Sequence, residues 1–154
     1  MIFVTVGTNK YKFKRLIHLA MMMRDKYSPD ETIIIQSGVY NLKSKKRNTI
    51  ISNYFEFSEM ISLIKKSRLV ISHCGSGTVL LTNTLGKVPF VLVRNHRNEE
   101  HTNNHQEQLF DSFIKDNRVE RLGIIGSNFA SAISKEYKNI VKGNDLLTYL
   151  NNVY

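Results

Sequence analysis

Short apolar runs alternate with amphipathic stretches along this chain, and the two periods separate well enough to order its elements. Residues 2–6 are mostly β-branched or aromatic and stop at Gly7, which predicts a buried first strand. From Phe13, apolar side chains recur at Leu16, Ile17, Ala20 and Met21, the spacing of one helical face, and predict an amphipathic helix over 13–27. Arg24 interrupts that face near its end. Ser28-Pro29 then stops the helix, because the residue before a proline is pushed out of the helical region. A second strand is predicted at 32–36, closed by Ser37-Gly38, and the basic, Asn-containing stretch 40–48 reads as a loop. A short strand follows within 50–55, then a short helix over 58–66 with Met60, Ile61 and Ile64 inward, and a buried strand over 68–72. A tight turn at 73–77 leads to a helix over 78–85 ended by Gly86, a strand over 89–93, and a helix over 104–116 carrying Gln108, Leu109, Phe113 and Ile114. The stretch 119–125 and helices near 128–141 and 145–151 complete the chain. Alternating strands and helices without an internal repeat or linker predict one α/β domain over 1–154, built on a mainly parallel sheet.

Composition narrows the class. A chain of 154 residues with 42% hydrophobic and 10% aromatic residues supports one real core, which rules out a disordered tail, a collagen and a coiled coil. The single cysteine, Cys74, excludes a disulfide framework and a four-cysteine zinc site. The longest apolar runs, 19–23 and 88–93, fall far short of the roughly 18 residues a membrane span needs, and no signal-peptide pattern opens the chain. A soluble cytoplasmic protein is expected. Residues 1–55 hold ten Lys or Arg against three acids, whereas the rest holds twelve against ten, so the net charge of +9 is largely N-terminal. Two groups, Lys10, Lys12, Lys14 and Arg15, and Lys43, Lys45, Lys46 and Arg47, suit nucleic acid, an anionic membrane or an acidic partner. A solvated basic surface is the equal alternative.

In an open parallel sheet, ligands bind outside the carboxyl ends of the strands. After the predicted strands come Gly7-Thr8-Asn9, Ser37-Gly38, His73 to Thr78, and Arg94 to Gln106, so small and polar residues converge on one edge. Gly75, Ser76, Gly77 and Thr78 are the sharpest of these: glycine admits a close ligand, and the following helix N-terminus offers N–H groups to an anion. A turn that needs glycine for geometry alone has the same spacing. No Walker loop is present; the third glycine of a dinucleotide fingerprint is missing, and the second strand ends in Gln36 rather than an acid. His101 and His105, four apart, could share a helical face as metal ligands, but no His-Glu-x-x-His order exists, and a polar helix start capped by Asn103 or Asn104 explains the stretch as well. Glu100, Asn104 and Gln106 have the donors and acceptors to bind a sugar or base. Cys74 beside His73 is poorly placed as an activated thiol, since neighbours at a strand end point apart.

Taken together, Met1 to Thr8, Phe13-x-Arg15-Leu16-Ile17, Gln36-Ser37-Gly38, Phe57-x-Glu59-Met60, Ser72-His73 through Thr78, and Glu100-His101-x-x-Asn104-His105-Gln106 occur in an order that resembles the glycosyltransferase family 28 C-terminal domain family. Within it, the likeness is to the small soluble subunit of two-component bacterial exopolysaccharide and capsule glycosyltransferases, related to the soluble subunit of the eukaryotic dolichol-linked N-acetylglucosaminyltransferase. It spans roughly residues 1–125. The resemblance implies a Rossmann-like domain, the donor-binding half of a GT-B glycosyltransferase, whose substrate is a UDP-sugar. The implied reaction is an inverting hexosyl transfer that needs no metal or other cofactor. It implies, too, a membrane-associated partner subunit that binds a lipid-linked acceptor, holding this chain at the inner face of the membrane. The glycine turn with His73 would face the diphosphate, and Gly7, Thr8, Asn9 and Gly38 would line the cleft. Glu100, His101, Asn104 and Gln106 would contact ribose or sugar, and Arg94 would offset phosphate charge. Asn9 stands where many relatives carry histidine, and Leu81 where single-chain relatives carry a ribose-holding glutamate.

Three readings follow. The first is the catalytic, donor-binding subunit; the second, motivated by Asn9 and Leu81, is an accessory subunit that activates or stabilises a partner transferase. The third, an RNA-binding protein, rests only on the basic first third and lacks interleaved aromatics for stacking bases.

Overall fold

The computed structural model describes residues 1–101 and 105–122. In chain order they form β1 (Ile2–Thr5), α1 (Lys14–Tyr27), β2 (Ile33–Gln36), β3 (Thr49–Ser52), α2 (Phe57–Lys66), β4 (Leu69–His73), α3 (Ser76–Thr84), β5 (Phe90–Leu92), a 3₁₀ turn (His96–Asn98), α4 (His105–Lys115) and β6 (Glu120–Arg121). The six strands make one sheet in the order β3-β2-β1-β4-β5-β6. Every neighbouring pair is parallel, with Phe3 level with Ile34 on one side and Val70 on the other.

Strand alternation divides the core between the faces. Ile2, Val4, Ile33, Ile35, Leu69 and Ile71 meet Leu16, Ile17, Ala20 and Met23 of α1. On the opposite face, Phe3, Ile34 and Val70 pack with Ile64 of α2 and Leu81 of α3. A third cluster joins Cys74, Val79 and Val91 to Phe110, Phe113 and Val119, seating α4. Continuous apolar strands of this kind are what a sheet covered on both sides requires.

The structure differs from the sequence expectation in three places. Arg24 does not break the buried face of α1 by facing solvent; it is itself buried, donating from Nη1 to the carbonyls of Pro29 (3.4 Å) and Arg47 (3.2 Å) and from Nη2 to Thr49 Oγ1 (2.9 Å). The turn after α1, the end of the 40–48 loop and the start of β3 each supply one acceptor that the linear pattern does not reveal. The helix predicted over 78–85 begins at Ser76, with Gly75 at its N-cap in extended conformation, so Gly77 belongs to the first helical turn rather than to the loop. Of the stretch 119–125, Glu120 and Arg121 pair with β5 and Leu122 is buried, while 123–125 and the helices expected near 128–141 and 145–151 lie outside the described residues.

Candidate functional site

The order of connections reverses between β1 and β4: from β1 the chain steps outward to β2 and β3, and from β4 to β5 and β6. At such a switch point the loops leaving the strands part and open a crevice at the carboxyl edge. The chain leaves β1 through Gly7 and β4 through His73, Cys74 and Gly75.

Gly7 adopts φ +73°, the left-handed region that only glycine enters cheaply. Its N–H donates to Thr5 Oγ1 (3.1 Å), and its carbonyl accepts from Gln36 Nε2 (3.3 Å). Across the crevice stands the His73 imidazole. A Cβ on Gly7 would lie 2.4 Å from His73 Cε1, and one on Gly75 would lie 2.2 Å from His73 Nε2. The two glycines therefore form a slot for this ring. Gly38 backs the slot: its φ is +60°, a Cβ there would meet Val6 Cγ2 at 3.0 Å, and Asn53 Nδ2 holds its carbonyl at 2.9 Å. Burial, with the Arg94 charge adding to it, pulls the His73 pKa down to about 4, so the imidazole is neutral at physiological pH. Its Nδ1 is buried without a well-formed hydrogen bond among the described residues, the Thr5 backbone exerting only a minor opposite pull.

Beside the ring begins α3. No side chain caps it and no acid occupies its first turn, which leaves the amides of Ser76, Gly77 and Thr78 facing the carboxyl edge with the positive end of the helix dipole. Gly77 is exposed, and a Cβ there would meet nothing within 4 Å among the described residues. Their packing gives no reason for glycine at this position.

Arg94, expected to offset phosphate charge, is fully buried. Its Nη1 donates to the carbonyls of Tyr11 (3.0 Å) and Glu100 (2.9 Å), its Nη2 to the carbonyl of Val6 (2.8 Å), and the guanidinium lies 4.6 Å from the Phe13 ring centre. Burial lowers its pKa to about 10, with Glu100 acting against the fall, so it remains a cation. Bonded to these three carbonyls, Arg94 clamps the loops after β1 and β5 together. Glu100 is likewise committed. It receives a bidentate pair from Arg15 (Nε–Oε1 3.1 Å, Nη2–Oε2 2.8 Å) and the Asn95 N–H (2.9 Å), and it is buried rather than turned toward a sugar. Gln106 Oε1 accepts from the Arg94 N–H at 3.2 Å. The Arg15 contact joins residues 85 apart in sequence, and no local spacing announces it.

Among the other expected site residues, Thr8 is exposed at the crevice mouth, and Asn9 Oδ1 accepts from the Tyr11 N–H (3.1 Å), closing a local turn. His101 precedes α4, and its carbonyl meets His96 Nδ1 at 2.9 Å, so it shares no helical face with His105, which opens α4. Asn103 and Asn104 lie outside the described residues. Leu81 is buried against Phe3 and Val70. Burial pushes the Cys74 thiol up to about 12, which leaves it unionised and inert beside His73. Gln36, noticed in the sequence only as a missing acid, holds the Gly7 carbonyl and keeps a buried Oε1 that has no partner among the described residues.

The strand order, reversing between β1 and β4, is that of a doubly wound α/β domain. The chain belongs to the glycosyltransferase family 28 C-terminal domain family, whose sequence model matches residues 1–119, and this domain is the Rossmann-like half of a GT-B glycosyltransferase. Among solved structures it is similar to one described as a crystal structure analysis of the glycotransferase of kitacinnamycin, with a TM-score of 0.61 and 12% identity. That likeness covers 86% of this chain and 34% of the other, so this chain spans about a third of that protein's length. At this identity the likeness is one of fold. No curated protein matches the chain significantly.

Proposed function

We propose that this chain is the donor-binding half of a glycosyltransferase that uses a UDP-sugar, and that a second, membrane-associated subunit supplies the lipid-linked acceptor. The observation that carries this reading is the slot at the switch point. Two glycines closed around a neutral His73 leave the uncapped start of α3, with exposed Gly77, facing the same crevice. A diphosphate set there would accept from the amides of Ser76, Gly77 and Thr78, while the imidazole would donate one further hydrogen bond. These groups would stabilise the charge that develops on the departing UDP, which fits a metal-independent inverting transfer. The acceptor hydroxyl's base is assigned to the partner, so no catalytic residue is named on this chain. Extension of a polyprenyl-diphosphate-linked sugar in capsule or exopolysaccharide assembly, at the cytoplasmic face, is the setting in which such a subunit would work. Among the described residues no helix is long and apolar enough to cross a membrane.

Calorimetric titration of the chain with UDP, with ADP and NAD as controls, tests the donor site, and transfer of labelled sugar by the co-expressed pair tests the reaction. Selective UDP binding supports the reading; absence of UDP binding by both the chain and the pair removes it. The accessory-subunit reading has one observation in its favour: Leu81 lies in the core and Glu100 is spent on Arg15, so neither offers the crevice a free carboxylate for ribose. Transfer by the pair that survives disruption of the slot would select it.

A further inference from the structure

Lys14, His18, Met22 and Lys26 stand four apart on α1, and all four are exposed, so they form one stripe along the helix. The loop at 40–48 runs beside that stripe. Lys14 Nζ lies 5.4 Å from the Tyr40 ring centre, His18 stacks edge-on against the same ring at 6.3 Å, Lys46 pairs with Asp25, and Arg24 holds the Arg47 carbonyl at 3.2 Å. Lys14 and Lys46, which are separate in sequence, thus lie along one face with Lys26. Between them lies a shallow groove of about 530 Å³ lined by His18, Met21, Met22, Asp25, Lys26 and Lys46. Its floor is apolar, with Met22 45% exposed, and its rim is cationic.

We propose that this face docks on an anionic lipid bilayer. The charge is in surplus: of the three acids in residues 1–55, Asp25 is paired with Arg24 and Lys46, and Glu31 with Arg68 and the N-terminal amine. The exposed cations along the stripe and groove are lysines (Lys14, Lys26 and Lys46), and the adjoining loop carries exposed Lys43 and Lys45, whereas Arg15 and Arg24 are committed to internal acceptors. Lysine ammonium groups around an exposed methionine suit a diffuse negative surface that accepts a small apolar insertion. Reading of nucleic-acid bases favours planar arginine forks and free aromatic faces, and the aromatic in the middle of this surface, Tyr40, is already covered by Lys14 and His18. Because α1 starts at the carboxyl edge of the sheet, docking along the stripe would hold the crevice beside the lipid surface; that consequence, though not the docking itself, rests on the proposed function.

Flotation of the full chain with phosphatidylglycerol-containing vesicles, against pure phosphatidylcholine vesicles, tests the proposal. The expected result is enrichment on the anionic vesicles alone, weakened by salt. The combined Lys26→Glu, Lys43→Glu and Lys45→Glu variant, whose positions lie outside the crevice, should lose about a hundredfold in partitioning. Its UDP affinity and melting temperature should not change. Met22→Ser should cost a few-fold on the same vesicles. No enrichment on anionic vesicles, equal partitioning of the triple variant, or salt-sensitive binding of polyuridylate in place of vesicles would each overturn the proposal. A chain that floats but does not bind UDP would overturn the donor-site reading and leave this one standing.

Discussion

Replacing Gly77 with alanine separates a glycine kept for the fold from one kept for a ligand. The residue lies in the first turn of α3, is exposed, and has open space where a Cβ would stand. Alanine is preferred to glycine within a helix, and at this end position the gain is about 0.5–1 kcal/mol. For a chain of this size that corresponds to a melting temperature higher by about 1–4 °C. If a diphosphate sits against the α3 amides, the new methyl occupies its approach, and UDP affinity should fall about tenfold or more, equivalent to at least about 1.4 kcal/mol. The paired measurements are thermal melting and calorimetric titration on the same preparation. A stabilised variant that binds UDP as tightly as the parent would refute the placement of the anion at α3. Gly75→Ala cannot make this distinction, because its Cβ would fall 2.2 Å from His73 Nε2 and disturb fold and site together.

Three further outcomes follow from buried groups. His73 has a pKa of about 4 in the folded chain against about 6.5 when unfolded, so between those values the unfolded chain binds the extra proton and stability must rise with pH. The full window is worth up to about 3 kcal/mol before solvent screening; His73→Gln should flatten the melting temperature against pH between 4 and 6.5, and an unaltered slope would contradict the assignment. Arg94→Met strands the buried carbonyls of Val6, Tyr11 and Glu100 and should cost about 3–5 kcal/mol, seen as a melting point lower by about 10 °C, with Arg94→Lys restoring only part. Cys74, with its thiol raised to about 12, should react with a thiol reagent at mildly alkaline pH only after denaturant is added; rapid labelling of the folded chain would show that the third core cluster is open.

Elements with a strong period were legible in the sequence because local spacing encodes them. Leu16, Ile17 and Ala20 mark the buried side of α1, and Ile33 to Ile35 can only be a strand covered on both faces. The strand order was not legible beyond its being parallel, since nothing local distinguishes which neighbour β1 takes on each side. Gly7, His73 and Gly75 were found by their position after strands, though their mutual fit was not, because it depends on two loops separated by more than sixty residues meeting around one ring. The internal bonds of the polar stretch from Glu100 were not legible. A carboxylate and an amide with free valence look alike in sequence whether they face a ligand or an arginine on another element, and only the fold brings Arg15 to Glu100 and Gln106 to the Arg94 backbone.

Those internal commitments bear on how the crevice would work. Arg94 ties the carbonyl of Val6, the residue before the Gly7 turn, to that of Glu100 after β5, and Arg15 ties the same Glu100 to the start of α1. The loop that carries Gly7 is therefore braced from the β5 side by a buried guanidinium, and from the β2 side by Gln36. A bare glycine turn would sample many conformations and lose affinity to ordering on binding; one held by three side chains meets its ligand already shaped. The buried cation has a second effect: it adds to burial, the larger cause, in opposing protonation of His73 and keeping the imidazole neutral. Arg94, Glu100 and Gln106 thus act within the fold, Arg94 by holding the Val6 carbonyl beside the Gly7 turn, and Glu100 and Gln106 by fixing the loop after β5.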